Sequence, residues 1–108
     1  MNGKWLWVDA GQKLSKVRED IETADVIAID TEYDSFRYFR EKLCLLQIGT
    51  ERCIYLIDPL DTATDLAFLG GVFADANQVK VIHAGDNDIR ILNRDYGCEF
   101  ANVFDTHR

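Results

Sequence analysis

The strongest constraint on the fold is an uninterrupted apolar run at residues 26–29, Val-Ile-Ala-Ile, which is followed by Asp30 and Glu32. A short run rich in β-branched residues and without polar alternation is typical of a central strand buried on both faces of its sheet. Open α/β sheets bind their ligands beyond the carboxyl ends of such strands. We therefore expect the two acidic residues to mark a functional site.

Patterns on both sides of this run predict a mixed α/β domain. The predicted strands cover residues 5–8, 26–30, 43–49, 53–57 and 79–83. The predicted helices cover residues 11–23, 65–75 and 86–96. Gly70 and Gly71 weaken the second helix, and Gly97 suits the end of the third. The short connection between residues 49 and 53 favours a hairpin.

The resulting order β-α-β-β-β-α-β-α places an antiparallel hairpin directly after the central strand. Helical crossovers follow, and a right-handed parallel crossover puts the last strand beside the central one. No glycine-rich loop follows the first strand, which argues against the P-loop and dinucleotide-binding folds. With 108 residues the chain is one domain at most. We predict an α/β fold, a mixed sheet with helices on its faces.

Composition excludes several classes of protein. No stretch approaches the roughly 20 apolar residues of a membrane span, and charge and glycine interrupt the first residues, so neither a membrane protein nor a signal peptide is predicted. The formal charge of −7 disfavours a nucleic-acid coat protein but not a nuclease with an acidic site. Cys44, Cys53 and Cys98 include no CxxC pair, which fits buried thiols in a reducing cytoplasm.

Asp30 and Glu32 form the first candidate site. Two residues apart in a strand, they face the same side, with Cα atoms roughly 6.5–7 Å apart. Such a pair can share one hard cation or bridge two. The alternative interpretation is a polar segment at the start of a loop.

Asp88 is the third candidate ligand. It lies in the first turn of the last predicted helix, one turn before Leu92, on the side that faces the sheet. The alternative is that Asp86, as the helix cap, and Asp88 only complement the helix dipole. Clustered carboxylates repel one another unless cations hold them, and oxygen ligands of this kind favour Mg²⁺ or Mn²⁺.

Other polar residues near the predicted strand ends are interpreted more conservatively. His83 is either a metal ligand or a hydrogen-bonded histidine at a strand end, and the second is favoured because carboxylate sites bind hard cations through oxygen. Asp58 is interpreted as a turn residue and Asp105 as a helix cap. No role is assigned to His107.

Residues 36–42 alternate aromatic and basic side chains just beyond the first carboxylates. Rings can stack on unpaired bases and cations can contact phosphates. An equally weighted alternative is the start of a hairpin with buried rings and solvated charges, and at least one ring is expected in the core. The candidate nucleic-acid-binding residues are Tyr33, Phe36, Arg37, Arg40 and His83.

Three segments together resemble the ribonuclease D family of 3′–5′ exonucleases. Residues 26–49, with Asp-Thr-Glu at 30–32 and Leu-Cys-Leu-Leu-Gln-Ile at 43–48, resemble the family's first motif region. Residues 81–92, in which His-Ala-Gly leads to an acidic residue at the start of a helix, resemble the second motif. Val-Phe-Asp-Thr at 103–106 resembles the strand-to-helix junction that follows.

The resemblance implies a ribonuclease H-like fold and two divalent metals, Mg²⁺ or Mn²⁺. It assigns Asp30 to both metals, Glu32 to the metal that activates water, and Asp88 to the second metal. It also implies a single-stranded 3′ end of RNA as the substrate, with DNA as an alternative, and no membrane partner. Two-metal hydrolysis of a phosphodiester needs carboxylates on rigid elements, which agrees with these residues.

The sequence departs from the family in one respect. The family's third motif supplies a further metal-binding Asp and a Tyr that orients water, and no segment here matches it. We therefore expect residues 1–108 to be the N-terminal portion of an exonuclease domain, truncated at its C-terminus, inactive alone and prone to self-association. The alternatives are a non-catalytic nucleic-acid-binding module of the same fold and a phosphatase with an Asp nucleophile, which Asp-Thr-Glu-Tyr fits poorly.

Overall fold

The computed structural model describes residues 4–8, 12–34, 42–58, 67–83 and 85–107, except for the side chains of residues 12–14, 33–34, 42–44, 87 and 95–96. The strands are β1 (Trp5–Val8), β2 (Val26–Asp34), β3 (Lys42–Gly49), β4 (Ile54–Ile57), β5 (Val79–Ile82) and β6 (Val103–Asp105). The helices are α1 (Gln12–Thr23), α2 (Phe68–Ala74) and α3 (Asp86–Tyr96). Within these ranges, no helix is long and apolar enough to cross a membrane.

The strands form one mixed sheet in the order β1-β4-β3-β2-β5-β6. β3 is antiparallel to both of its neighbours, and the other adjacent pairs are parallel. The predicted hairpin and the predicted place of β5 beside β2 are both confirmed. β6 is an additional strand that the residue pattern did not predict, because three residues are too few to show an alternation.

The helices pack on one side of the sheet, which we call the covered face. In β2 it carries Ile27 and Ile29, both buried. Buried residues of the helices complete the core. They include Val17 and Ile21 of α1, Leu69, Val72 and Phe73 of α2, and Ile91 and Leu92 of α3. Phe73 also stacks on Phe100, with ring centroids 4.7 Å apart.

The opposite side of the sheet, the open face, is not covered by any described element. In β2 it carries Val26, which is 46% exposed, and Ala28, which is exposed too. The prediction that this strand is buried on both faces was therefore wrong. Strand pairing places further side chains on the open face, those of Trp5, Trp7, Ile54, Leu56, Val79, Val81 and Phe104.

Several polar groups beneath the helices are hydrogen-bonded, which offsets the cost of their burial. Asp20 of α1 accepts hydrogen bonds at Oδ2 from the Thr50 hydroxyl, at 2.8 Å, and from the Tyr55 hydroxyl. Burial, followed by the hydrogen bond to Asp20, raises the pKa of Tyr55. These bonds fix α1 against the β3–β4 hairpin. Asp58 directly follows β4, and its interpretation as a turn residue stays a prediction because the residues after it lie outside the described ranges.

Candidate active site

Asp30 and Glu32 lie within β2 and not in a loop, so the loop alternative was wrong. Both side chains are exposed on the open face, where Asp30 pairs with Gln47 of β3 and Glu32 with Leu45. The Asp30 Oδ1 atom accepts a hydrogen bond from the Thr31 N–H group at 3.0 Å. The pairing register shifts directly after Glu32, an irregularity that increases local twist and can reorient a side chain.

Asp88 projects from the first turn of α3 toward the carboxyl end of β2, as its spacing from Leu92 predicted. Its side chain is 8% exposed and accepts a hydrogen bond from the Thr31 hydroxyl. Burial is the main cause of its raised pKa, the Thr31 bond opposes the rise, and the charges of Asp30 and Asp105 add to it. Asp30 and Asp105 therefore lie close enough to Asp88 to act on its charge.

Thr31 is a positioning residue that the sequence analysis missed. It is buried on the covered face, between two carboxylates that point to the open face. Its hydroxyl donates to Asp88 and so links β2 to α3. The alternation of a strand would have predicted its direction, since the residue between Asp30 and Glu32 must face the other side of the sheet.

The start of α3 is fixed by Gly85 and not by a side-chain cap. Gly85 is the N-cap residue, and no side-chain hydrogen bond caps the helix there. Asp86 is the first helical residue, so the prediction that Asp86 is the cap was wrong. The Gly85 N–H group donates to Asp105 Oδ2 at 2.9 Å. A methyl group at Gly85 would lie 2.5 Å from the Ile82 side chain. Close packing therefore requires glycine where Asp would otherwise be a good cap.

Asp105, the last residue of β6, joins two segments. Its Oδ1 atom accepts a hydrogen bond from the His107 N–H group at 2.9 Å, the contact two residues onward that a cap makes. Its Oδ2 atom holds Gly85, and its charge acts on Asp88. The interpretation as a cap explains only the first contact. The contacts with Gly85 and Asp88 arise because Asp105 is paired with Ile82 in parallel strands. This pairing could not be predicted, because the residue pattern did not predict β6.

His83 follows β5 and is exposed. Its Nδ1 atom forms a hydrogen bond with Thr106 Oγ1 at 2.9 Å, and its ring contacts the edge of His107, with centroids 5.5 Å apart. This environment fits the favoured interpretation of a hydrogen-bonded histidine. The role of His83 in nucleic-acid binding stays a prediction.

The remaining candidate nucleic-acid contacts are not described structurally. The backbone of Tyr33 belongs to β2, but its side chain lies outside the described part of the molecule. Phe36, Arg37 and Arg40 lie outside the described residues altogether. Their proposed contacts with bases and phosphates stay predictions.

The donor set fits a hard cation, although it is not assembled as a finished metal centre. Among the described residues, no three His, Cys, Asp or Glu side chains converge closely enough to hold one metal ion. Asp30 and Glu32 nevertheless share one face, and Asp88 lies near the charge of Asp30. Carboxylate oxygens suit Mg²⁺ and Mn²⁺, and a cation would offset the repulsion that contributes to the raised pKa of Asp88.

Comparison with known sequences identifies the family. A family model described as 3′–5′ exonuclease matches residues 6–108. The exosome complex component 10 homolog of Drosophila melanogaster is 39% identical over 101 residues, which are 94% of this chain and 11% of that protein. The exosome complex exonuclease RRP6 of Saccharomyces cerevisiae is 36% identical over 102 residues, 94% of this chain and 14% of that protein. The chain thus spans only a small part of these relatives.

Solved structures show the same fold. The catalytic core of RRP6 from Trypanosoma brucei superposes with a TM-score of 0.87 at 30% identity, covering 97% of this chain and 29% of that one. Escherichia coli RNase D superposes with a TM-score of 0.83 at 27% identity, covering 95% of this chain and 27% of that one. The sequence motifs, the sheet order and these similarities agree, and the chain belongs to the 3′–5′ exonuclease family, corresponding to the N-terminal region of an RNase D-like exonuclease domain.

Proposed function

We propose that this chain provides the metal-binding carboxylates of a 3′–5′ exonuclease domain that shortens RNA from its 3′ end with Mg²⁺ or Mn²⁺. One observation carries the proposal. Asp30 and Glu32 project from the same face near the carboxyl end of β2, and Asp88 lies close enough to Asp30 to sense its charge. The edge of a sheet at which strands end is where α/β folds bind their ligands.

The proposed roles of the carboxylates follow from their exposure. A pair of divalent cations, when bound, supplies an activated water and neutralises the leaving 3′ oxygen. Asp30 and Glu32 are exposed and would hold the cations, and the resemblance to the family would have Asp30 shared between them. Asp88 is held in one orientation by Thr31, and the bond between Gly85 and Asp105 fixes the helix that carries it.

RNA is the proposed substrate because of the named relatives. The yeast relative is an exosome complex exonuclease, and the E. coli RNase D structure is described as an exoribonuclease involved in structured RNA processing. By analogy we propose a role in RNA processing. A matching single-stranded DNA is the second substrate in the test, because contact with the 2′-hydroxyl group is what lets a protein distinguish RNA from DNA.

The experiment is a chimera in which residues 1–108 replace the matching segment of the T. brucei RRP6 catalytic core. With Mn²⁺ we expect it to shorten a 5′-labelled single-stranded RNA from the 3′ end, and to act more slowly on the matching DNA. Asp30→Asn should abolish shortening, whereas Asp25→Asn, an exposed Asp at the start of the same strand region, should not. A chimera that melts cooperatively but releases no nucleotide would refute the proposal.

The 108-residue chain alone is expected to release no mononucleotides, because no segment of its sequence matches the third motif of the family. We also propose that two copies of the isolated chain associate through the open face. Trp5, Trp7, Val26 and Phe104 are exposed large apolar residues on that face. Apolar patches of this kind favour association, because burial of such side chains is favourable.

A further inference from the structure

A cavity on the covered face of the sheet carries positive charge at its rim. It has a volume of about 370 Å³ and lies between β1, α1 and the start of β4. Lys4, Lys16 and Arg52 line it and are all exposed, so they form its rim. Within the described ranges, none of these three cations forms an ion pair with a carboxylate. The chain as a whole has a net charge of −7, so these three unpaired cations give the rim of the cavity a charge of the opposite sign.

The floor of the cavity is apolar. It is formed by Leu6, Val17, Cys53 and Tyr55, of which the last three are buried. The volume is in the range of cavities that hold small ligands or single large side chains. The floor would therefore favour an apolar group, while the rim would favour negative charge beside it.

Three cations and no carboxylate line the cavity. The charges of Lys4 and Asp20 both reach Cys53, and Arg52 borders Asp20, Asp25 and Glu51 on its other side. These carboxylates reduce the positive charge of the rim but lie outside the lining. Among the lining residues themselves the charge is positive, around an apolar floor.

We propose that this cavity binds an acidic segment of a partner protein, which inserts one apolar side chain and places its carboxylates against the three cations. A nucleic acid fits less well, because base stacking needs an exposed aromatic face and Tyr55 is only 6% exposed. Charge complementarity of this kind steers partners together and selects among them.

The cavity and the candidate active site lie on opposite faces of the sheet. The floor residues Leu6 and Tyr55 are paired in the row that continues through β3 to Ile29, on the covered face. Asp30 and Glu32 instead project from the open face of β2. The proposal does not depend on exonuclease activity, and a bound partner would leave the carboxylates open.

The test uses the 108-residue chain and a labelled octapeptide in which one phenylalanine is flanked on both sides by acidic residues. We expect saturable binding in fluorescence anisotropy that weakens as salt screens the charges. Lys16→Glu combined with Arg52→Glu should weaken binding by about tenfold or more. Amide resonances of Leu6, Val17 and Cys53 should shift on titration with the peptide.

Matched controls separate the parts of the proposal. Arg18→Glu makes the same charge change on α1, but Arg18 pairs with Glu22 and lies over Phe68, away from the cavity, so binding should change by less than about twofold. A peptide with serine in place of phenylalanine should also lose about tenfold in affinity. Equal binding of both peptides, resonance shifts confined to the carboxyl end of β2, or tighter binding of a single-stranded oligouridine than of the peptide would each overturn the proposal.

Discussion

The two faces of β2 show how one strand separates stability from chemistry. On the covered face Ile27, Ile29 and Thr31 are buried beneath the helices. On the open face Asp30 and Glu32 are exposed. The same nine-residue strand thus contributes alternate residues to the core and to the candidate active site.

The difference follows from the cost of burying charge. An ionised carboxylate loses hydration when it is buried, and its pKa rises unless a partner compensates. Asp30 and Glu32 are exposed on the open face and keep their hydration. Asp88 bears the cost of burial, because its carboxylate is buried and its pKa is raised by burial, with the Thr31 hydrogen bond opposing the rise. The two candidate ligands on the strand are therefore solvated, whereas the candidate ligand on the helix is buried and hydrogen-bonded to Thr31.

The largest effect that distinguishes the faces should come from the core. Ile27→Ala should lower the free energy of unfolding by about 2–5 kcal/mol, because Ile27 is fully buried and the substitution leaves a cavity. Val26→Ala, one residue away on the open face, should cost about 0.5 kcal/mol or less. Urea denaturation of both variants, at protein concentrations low enough to keep the chain monomeric, measures the contrast. Equal losses in the monomer would mean that the open face is covered within a single chain.

The second effect concerns the apolar residues of the open face. Phe104 is 62% exposed, and burying it between two copies would contribute roughly 1.5–3 kcal/mol. Phe104→Ser should therefore raise the dimer dissociation constant at least about tenfold in sedimentation experiments. Glu19→Ser, an exposed change on α1, should leave it unchanged. A wild-type chain that stays monomeric at micromolar concentration would contradict the proposed association.

The sequence predicted most of the fold because its apolar patterns are local. The hairpin, the place of β5 beside β2 and all three helices follow from spacing and connection lengths. The exposure of Val26 and Ala28 could not be predicted from spacing, because a strand with both faces covered and a strand with one open face can have the same apolar run. β6 was not predicted from its pattern because its pairing with β5 is a long-range contact of only three residues.

The candidate site was predicted only in part, for a similar reason. The shared direction of Asp30 and Glu32 follows from strand periodicity, and the inward direction of Asp88 from helix periodicity. The contacts of Thr31 with Asp88 and of Gly85 with Asp105 depend on how α3 sits on the sheet. Residue preferences at helix N-termini favoured Asp86 over Gly85 as the cap. The Ile82 side chain, however, lies so close to residue 85 that only glycine fits there.

A third effect tests the buried charge of the covered face. Lys80 is fully buried, and its Nζ atom donates hydrogen bonds to the backbone carbonyls of Asp75 and Gln78, the latter at 2.9 Å. Lys80→Met leaves these carbonyls without their donor, so it should cost about 1–3 kcal/mol. Urea denaturation at neutral pH measures this loss, and a neutral substitution would contradict the assigned role.

The same residue has a predictable pH dependence. Burial lowers the pKa of Lys80 below its ordinary 10.5. Between the lowered pKa and 10.5 the unfolded chain binds more protons than the folded chain, so the contribution of Lys80 to stability rises with pH. The wild-type advantage over Lys80→Met should therefore grow from neutral pH toward pH 10.5. Cys53, Cys98 and Tyr55 occur in both proteins, so their titration cancels in the difference, and a shrinking advantage would contradict the assignment.

The smallest effect on stability should accompany a complete loss of Mn²⁺ binding on the open face. Glu32→Gln should change the free energy of unfolding by about 0.5 kcal/mol or less, because the side chain is exposed. Calorimetry with Mn²⁺ should show one weak binding event in the wild-type chain, since a site with two carboxylates leaves most of the coordination to water. The event should be absent in Glu32→Gln.

Glu51→Gln is the matched control for this last test, because it removes the same charge from an exposed position in the β3–β4 turn. Its isotherm should equal that of the wild type. A cation that binds the folded chain also stabilises it, by about 1.4 kcal/mol at a concentration ten times the dissociation constant. Mn²⁺ should thus raise the melting temperature of the wild type and of Glu51→Gln but not of Glu32→Gln. Identical behaviour of all three proteins would remove Glu32 from the site and, with it, the chemical role assigned to the open face.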